Sequence, residues 1–193
     1  MARPSGRPIR DELLVAASAL IQRVGVNGFS YGVLAGELGI SAPSIHHHFG
    51  TKDDLIGAVV ARYRMDFADS VEAIEATGDG DPVGRIIGFA ELFDVTADRA
   101  SMCLCGSVAS DWATVGPTAR AEVHGFFADQ VAWLCGRLDE AVAAGRPRPR
   151  GESEEAARLL LSALEGSMLL ARAGDEKATP SIMARRLLDE LSC

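Results

Sequence analysis

Three consecutive histidines, His46, His47 and His48, stand in the stretch ISAPSIHHHFGTKD at residues 40–53. Imidazole binds metal ions, moves protons and donates hydrogen bonds to phosphate, so the triplet allows three kinds of chemistry. Helical geometry separates them. On a helix each residue turns by about 100°, and the three rings point in three directions. Chelation from one helix uses residues four apart, and the positions four beyond the histidines are Gly50, Thr51 and Lys52, none a useful ligand. The fourth histidine, His124, is far along the chain. No metal or other cofactor is expected. Catalysis finds little support either. The chain has no Gly-x-Ser-x-Gly elbow, no phosphate loop of Walker type, no dinucleotide fingerprint and no Cys-x-x-Cys pair. The paired acids Asp79 and Asp81 lie in a glycine loop, where solvation explains them. Two readings of the triplet remain. One is a solvated helix; the other is a recognition helix whose small N-terminal residues approach base edges while its histidines meet phosphates.

The elements that would position these rings are legible from periodicity and caps. Leu13, Leu14, Ala17, Leu20, Ile21 and Val24 recur at helical spacing, and Gly25 closes the pattern. Ser30 is a fair N-cap for a helix over Tyr31–Leu38, and Gly39 breaks it. Ser41 caps a short helix with Pro43 in its first turn, where proline is tolerated. Gly39-Ile40-Ser41 thus joins two short helices as a helix-turn-helix, with Ile40 plugging the space between them. Thr51 caps a longer helix to about Ala76, with Asp53 and Asp54 suiting its dipole. Residues 77–84 (TGDGDPVG) form a loop. Further helices are expected over about 83–97, 101–113, 117–144, 153–173 and 179–191, with a second loop at 145–152. The expected class is all-α, a three-helix helix-turn-helix head on a larger helical bundle. The boundaries predicted are 1–50 for the head and 51–193 for the rest.

Composition agrees. The 193 residues are 48% hydrophobic but only 6% aromatic, with few strand-like runs. The net charge of −8 argues against nucleic acid only when taken whole. Residues 1–66 carry seven Lys/Arg against six Asp/Glu, a balance of +1, and the remainder carries twelve against twenty-one, a balance of −9. Basic character is local, as expected where one end touches phosphate. The first ten residues hold Arg3, Arg7 and Arg10 without an acid, an arm able to reach a flanking minor groove. That N-terminus has no apolar run behind it and does not read as a secretory signal. The longest apolar-rich run, residues 156–173, is too polar for a membrane span. Reduced thiols are the default for the four cysteines, and a cytoplasmic protein with no membrane partner is expected.

Residues 11–59, DELLVAASALIQRVGVNGFSYGVLAGELGISAPSIHHHFGTKDDLIGAV, resemble the DNA-binding region of the TetR family of transcriptional repressors. The match is carried by Gly25 with Gly28-Phe29-Ser30, by Leu34-Ala35, by Leu38-Gly39-Ile40-Ser41, and by Ile45 to Phe49 with Lys52 and Leu55. It spans about a quarter of the chain, and the combined spacing is specific although no single element is. The resemblance implies base-edge contacts from Ala42, Pro43 and Ser44, phosphate contacts from Ser30, His46, His48 and Lys52, and either kind from His47. Position 46 is commonly tyrosine in that family, so here a shorter, titratable donor replaces a phenol. Residues 42–44 offer little hydrogen bonding, so readout would lean on thymine methyls and DNA shape. A fainter resemblance, over residues 102–120 and 159–172, is to a branch responsive to acrylate, flavonoids and thiol-reactive electrophiles. That branch often shows Gly-Cys-Leu where this chain has Met102-Cys103-Leu104. It transfers no particular ligand; the effector expected for this chain is a small apolar or electrophilic molecule.

In the second region Ala156, Leu160, Ala163, Leu164, Ser167 and Ala171 form a stripe with small residues, and Leu187, Leu188 and Leu191 give the last helix another. Paired with their copies, two such helices make a four-helix homodimer interface; an intramolecular core is the other use of the same stripe. Phe89, Phe93, Met102, Trp112, Phe126 and Met168 are candidates to line an apolar ligand cavity, or are plain core. Were Ser101 the cap of its helix, Cys103 would lie in the first turn, where the partial charge favours thiolate. The two uses of that thiol are packing and, by resemblance, sensing of electrophiles. The overall expectation is a ligand-responsive repressor bound to a palindromic double-stranded operator as a homodimer. The competing one is a helical small-molecule-binding protein or enzyme without specific DNA binding.

Overall fold

The computed structural model describes residues 9–77, 80–98, 101–146, 151–175 and 177–191. Among them the regular structure is helical throughout, with no strand. The helices are α1 (Ile9–Val24), α2 (Tyr31–Leu38), α3 (Ala42–His48), α4 (Lys52–Thr77), α5 (Pro82–Asp98), α6 (Leu104–Ser110), α7 (Pro117–Ala143), α8 (Ser153–Arg172) and α9 (Pro180–Leu191). A 3-10 turn, Trp112–Thr114, follows α6. The residues pack as two compact units. The first takes in the chain up to Met65 together with Leu104–His124, and the second takes in Asp66–Cys103 and Gly125 onward. These are units of packing.

In the first unit local signals set the ends of the short helices. α1 buries Leu13, Leu14, Ala17, Leu20 and Ile21, its apolar stripe, and Gly25 follows at φ 75°. The extended Ser30 accepts a hydrogen bond from the Val33 amide at 3.2 Å, capping α2. Gly39 ends α2 at φ 63°, and the Ile40 amide turns back to donate to the Ala35 carbonyl. Ser41 occupies the N-cap of α3, but its hydroxyl makes no capping bond. Two buried side chains, Ile45 and Phe49, pin α3 to the core. At α4 the Asp54 amide donates to the Thr51 hydroxyl at 3.1 Å, and the Thr51 amide donates to the Asp54 carboxylate at 3.0 Å. This reciprocal box fixes the helix start.

One element departs from expectation. The helix predicted over 101–113 is the shorter α6, followed by the 3-10 turn. The Ser101 amide donates to the Thr96 carbonyl at 3.3 Å, so it closes the end of α5 rather than opening α6. Cys103 therefore precedes the helix instead of lying in its first turn.

In the second unit α5, α8 and α9 pack on one another. Phe67 sits edge-on to Phe89, Phe93 and Phe126 at centroid distances of 5.6, 5.8 and 5.3 Å. Trp133 stacks on Phe89 at 5.1 Å. A ring of charges closes beside this cluster. Glu75 accepts from Arg85, Arg137 and the Trp133 indole, while Arg85 and Arg137 also reach Glu140. The Asp94 carboxylate accepts from the Ser181 amide at 2.9 Å, holding the first turn of α9 to α5.

Candidate nucleic-acid interface

The outer side of α3 carries most of the predicted contact residues. Pro43, His46, His47 and His48 are exposed, and Ala42 and Ser44 are half-buried, while Ile45 between them is fully buried. The rings diverge as helical geometry requires. His46 packs edge-on against Tyr31 at 4.6 Å, and His47 and His48 stand 5.5 Å apart at 72°. Among the described residues no group of three or more His, Cys, Asp or Glu is placed to hold a metal ion. Ser30, also exposed, already uses its hydroxyl oxygen on α2. Tyr31, at the start of α2, donates its phenol hydrogen toward the carbonyls of Thr51, at 2.5 Å, and Phe49, at 3.2 Å. It thereby brackets α2 to the turn between α3 and α4. Burial and then the Asp54 carboxylate raise the Tyr31 pKa above the ordinary phenol value.

Lys52 is placed differently from expectation. Its amine donates to the carbonyls of Val26 at 2.6 Å and Phe29 at 2.7 Å, and lies 4.9 Å from the centre of the Phe29 ring. Two of its three N–H bonds are thus spent on the turn after α1. Burial lowers its pKa, opposed by the Asp111 carboxylate. Of the arginine arm, Arg3 and Arg7 lie outside the described residues; Arg10 lies 5.1 Å from the centre of the Phe49 ring.

Sequence reasoning missed what holds this head against the segment from α6 to α7 within the first unit. The Asp111 carboxylate accepts from the Asn27 backbone at 3.1 Å and from the Asn27 side-chain amide at 2.7 Å. Thr114 donates to the Asn27 side-chain carbonyl at 2.9 Å. Asp53 accepts from the amides of Thr118 and Ala119 at 3.2 and 3.4 Å, capping α7 from the first turn of α4. Three glycines line this seam. A Cβ on Gly25 would stand 3.0 Å from Asp111, one on Gly57 2.7 Å from Thr118, and one on Gly116 in collision with the Asp53 carboxylate.

Residues 13–59 match the family described as bacterial regulatory proteins, tetR family. The chain is 29% identical over 202 residues to the HTH-type transcriptional regulator BetI 2 of Chromohalobacter salexigens, covering 99% of this chain and 92% of that one. A TetR-family transcriptional regulator from Agrobacterium tumefaciens superposes with TM-score 0.88 at 30% identity, over 95% of this chain and 97% of that one. The chain belongs to the TetR family. A TetR transcriptional regulator from Legionella pneumophila superposes similarly, with TM-score 0.84 at 25% identity over 97% and 100% of the two chains. This protein is accordingly a transcriptional regulator and not an enzyme.

In this TetR-family regulator the predicted cavity residues divide. Phe89, Phe93, Met102, Cys103, Phe126 and Met168 are all buried in the second unit. Trp112 is not with them. It lies in the first unit, 42% exposed in the 3-10 turn, with the Arg120 guanidinium 5.2 Å from its ring centre. The turn forms where α6 stops early, and that carries the indole outward. Phe67 and Trp133, unnamed by sequence reasoning, belong to the aromatic cluster instead. Their places on long helices follow the helical period, but nothing local marked them as a set.

Cys103 is 1% exposed and lies against Glu165, whose carboxyl it hydrogen-bonds. Burial first, and the neighbouring thiol second, hold the Glu165 carboxyl well above the usual carboxylate range. Cys103 is thus buried against Glu165 rather than placed in the first turn of a helix, as its sequence position had suggested.

The stripe predicted for a dimer interface is largely consumed inside the second unit. Leu160, Leu164 and Ser167 are buried there, and Ala163, Ala171, Leu187 and Leu188 are half-buried. The side chain of Leu191 lies outside the described set. The open apolar face of α8 is the neighbouring one, with Leu159, Leu169 and Leu170 exposed at 47%, 57% and 54%. The helix is apolar over much of its circumference, so spacing alone did not say which side faced inward.

Proposed function

We propose that this TetR-family regulator is a repressor that binds a palindromic operator as a homodimer and leaves it when a small molecule binds. DNA contact is assigned to residues 1–50, and effector binding and dimerisation to residues 51–193. The observation that carries the DNA reading is α3 itself. Ile45 and Phe49 anchor it, while Pro43 and the three histidines face outward beside the half-buried Ala42 and Ser44. Small residues at the start let a helix approach base edges, and imidazoles on the same short helix suit phosphate oxygens. Ser30 is assigned to capping α2 and Lys52 to closing the turn after α1, each with at most one hydrogen-bond donor left for phosphate. The cytoplasm is the location this reading requires; among the described residues no helix is long and apolar enough to cross a membrane.

A helix of seven residues reads only a few base pairs, so two half-sites about one helical turn apart are needed for selectivity. The face offered to a second copy is Leu159, Leu169 and Leu170 on α8, continued by exposed Ile182 on α9. Gly166, on the same helix, has open space where a Cβ would stand, which permits close helix approach. The effector site is assigned to the apolar interior of the second unit around Phe89, Phe93, Phe126 and Met168. An effector releases DNA only if it prefers the form that does not bind.

Selection of bound fragments from a random DNA pool tests the reading. The expected product is a short palindrome, with Ser44 substitutions changing the preferred sequence. Equal affinity for selected and random DNA at physiological salt would defeat it.

A further inference from the structure

We propose that Glu165 is the polar anchor of the effector site, and that the effector carries an N–H or O–H group that donates to its free oxygen. This rests on the reading that the second unit binds a small molecule, and it names the chemistry of that molecule. Glu165 Oε1 is shielded from solvent and has no hydrogen-bond partner. The other such atoms among the described residues are the Nε atoms of Arg85, Arg120 and Arg137, whose guanidiniums are held through their remaining nitrogens. Among the described residues Glu165 is therefore the one carboxyl with a shielded, unmet acceptor. Its only described partner is the thiol of Cys103, a weak donor that serves one oxygen.

The setting makes the orphan informative. One turn before and one turn after Glu165 on α8 stand Leu161 and Met168, both buried. A carboxyl between such neighbours costs stability unless it is paired, and a leucine or methionine would fill the place without that cost. A buried acceptor left open discriminates strongly among arriving molecules. A hydrocarbon leaves it unmet, whereas an ammonium, hydroxyl or amide N–H completes it. The apolar rings of the same unit hold the body of the molecule, and Glu165 sets which end enters.

Matched probes of equal size test this: benzylamine, benzyl alcohol and ethylbenzene, with butylamine, butanol and pentane as a smaller set. Binding is read by calorimetry and thermal shift on the full-length protein, and DNA release is read in parallel. The expected result is that amine and alcohol bind about tenfold or more tightly than the hydrocarbon of the same shape. Glu165→Gln keeps an acceptor, so it should retain the alcohol and lose the advantage of the amine. Glu165→Leu should erase both preferences, with folding checked by circular dichroism; if that variant does not fold, the glutamine variant still decides. Equal binding of all members of a set, or a preference that survives in Glu165→Leu, overturns the anchor while leaving the small-molecule site in place. Failure of every probe to bind overturns the site and the anchor together.

Discussion

A lysine amine that donates to two backbone carbonyls has one N–H left for an outside partner. That is the position of Lys52, which closes the turn after α1 through Val26 and Phe29. Lys52→Ala should therefore lower the unfolding free energy by about 2 kcal/mol, since two buried carbonyls lose a charged donor. The salt dependence of DNA affinity should stay near that of the wild type. A slope shallower by about one unit, with stability unchanged, would return the amine to phosphate. Glu165 makes the opposite kind of prediction. Its folded pKa is raised, so folding suffers as pH rises above the unfolded carboxyl value of about 4.3. Glu165→Gln should then raise the melting temperature at pH 7 and change it little near pH 4, as followed by calorimetry; Cys103 is the titratable group facing it. The same pairing predicts that iodoacetamide labels the half-buried Cys135 well before Cys103 in the native protein, as peptide mapping would read. Faster labelling of Cys103, with loss of DNA binding, would restore a sensing role. None of this was visible in the sequence. The residue types were, but Glu165 stands far along the chain from Cys103, and only folding shows that they meet.

At the scale of elements, what was legible was whatever a few neighbouring residues decide. Ser30, Gly39 and Thr51 act within one turn of themselves, and α2, α3 and the start of α4 lie where their caps place them. α6 was not legible, because its limits depend on partners elsewhere: the Ser101 amide on Thr96, and Asp111 on Asn27, 84 residues away. The seam those partners form has no room for methyl groups. Gly25→Ala combines a positive φ with crowding against Asp111 and should cost about 1–2 kcal/mol. Gly116→Ala should cost about as much by displacing Asp53 from the start of α7. Gly36 is the control: a Cβ there meets nothing within 4 Å in mid-helix, so Gly36→Ala should stabilise by about 0.5–1 kcal/mol. Chemical denaturation of the three variants would show the change of sign.

For the whole molecule, the apolar spacing on α8 did not say which side faces the chain's own interior. The burial pattern does, and with the proposed dimer it separates two mutations a few residues apart. Leu164→Ala should cost about 2–5 kcal/mol of stability as a cavity in the core. Leu170→Arg should leave the fold intact and convert a dimer to a monomer in light scattering, with operator affinity falling as the second half-site is lost. Equal behaviour of the two variants would mean that α8 has no partner face. The discontinuous make-up of the first unit bears on how the regulator is made. Its recognition helix emerges early, but its packing includes Leu104–His124. At bacterial synthesis rates of about 5–20 residues per second, Asn27 waits on the order of ten seconds for Asp111 to leave the ribosome. A product of aborted translation that ends before Asp111 carries the histidine triplet without the latch that Asp111 makes to Asn27. Such fragments should be poor competitors for the operator and ready prey for proteases, so that only completed chains occupy DNA.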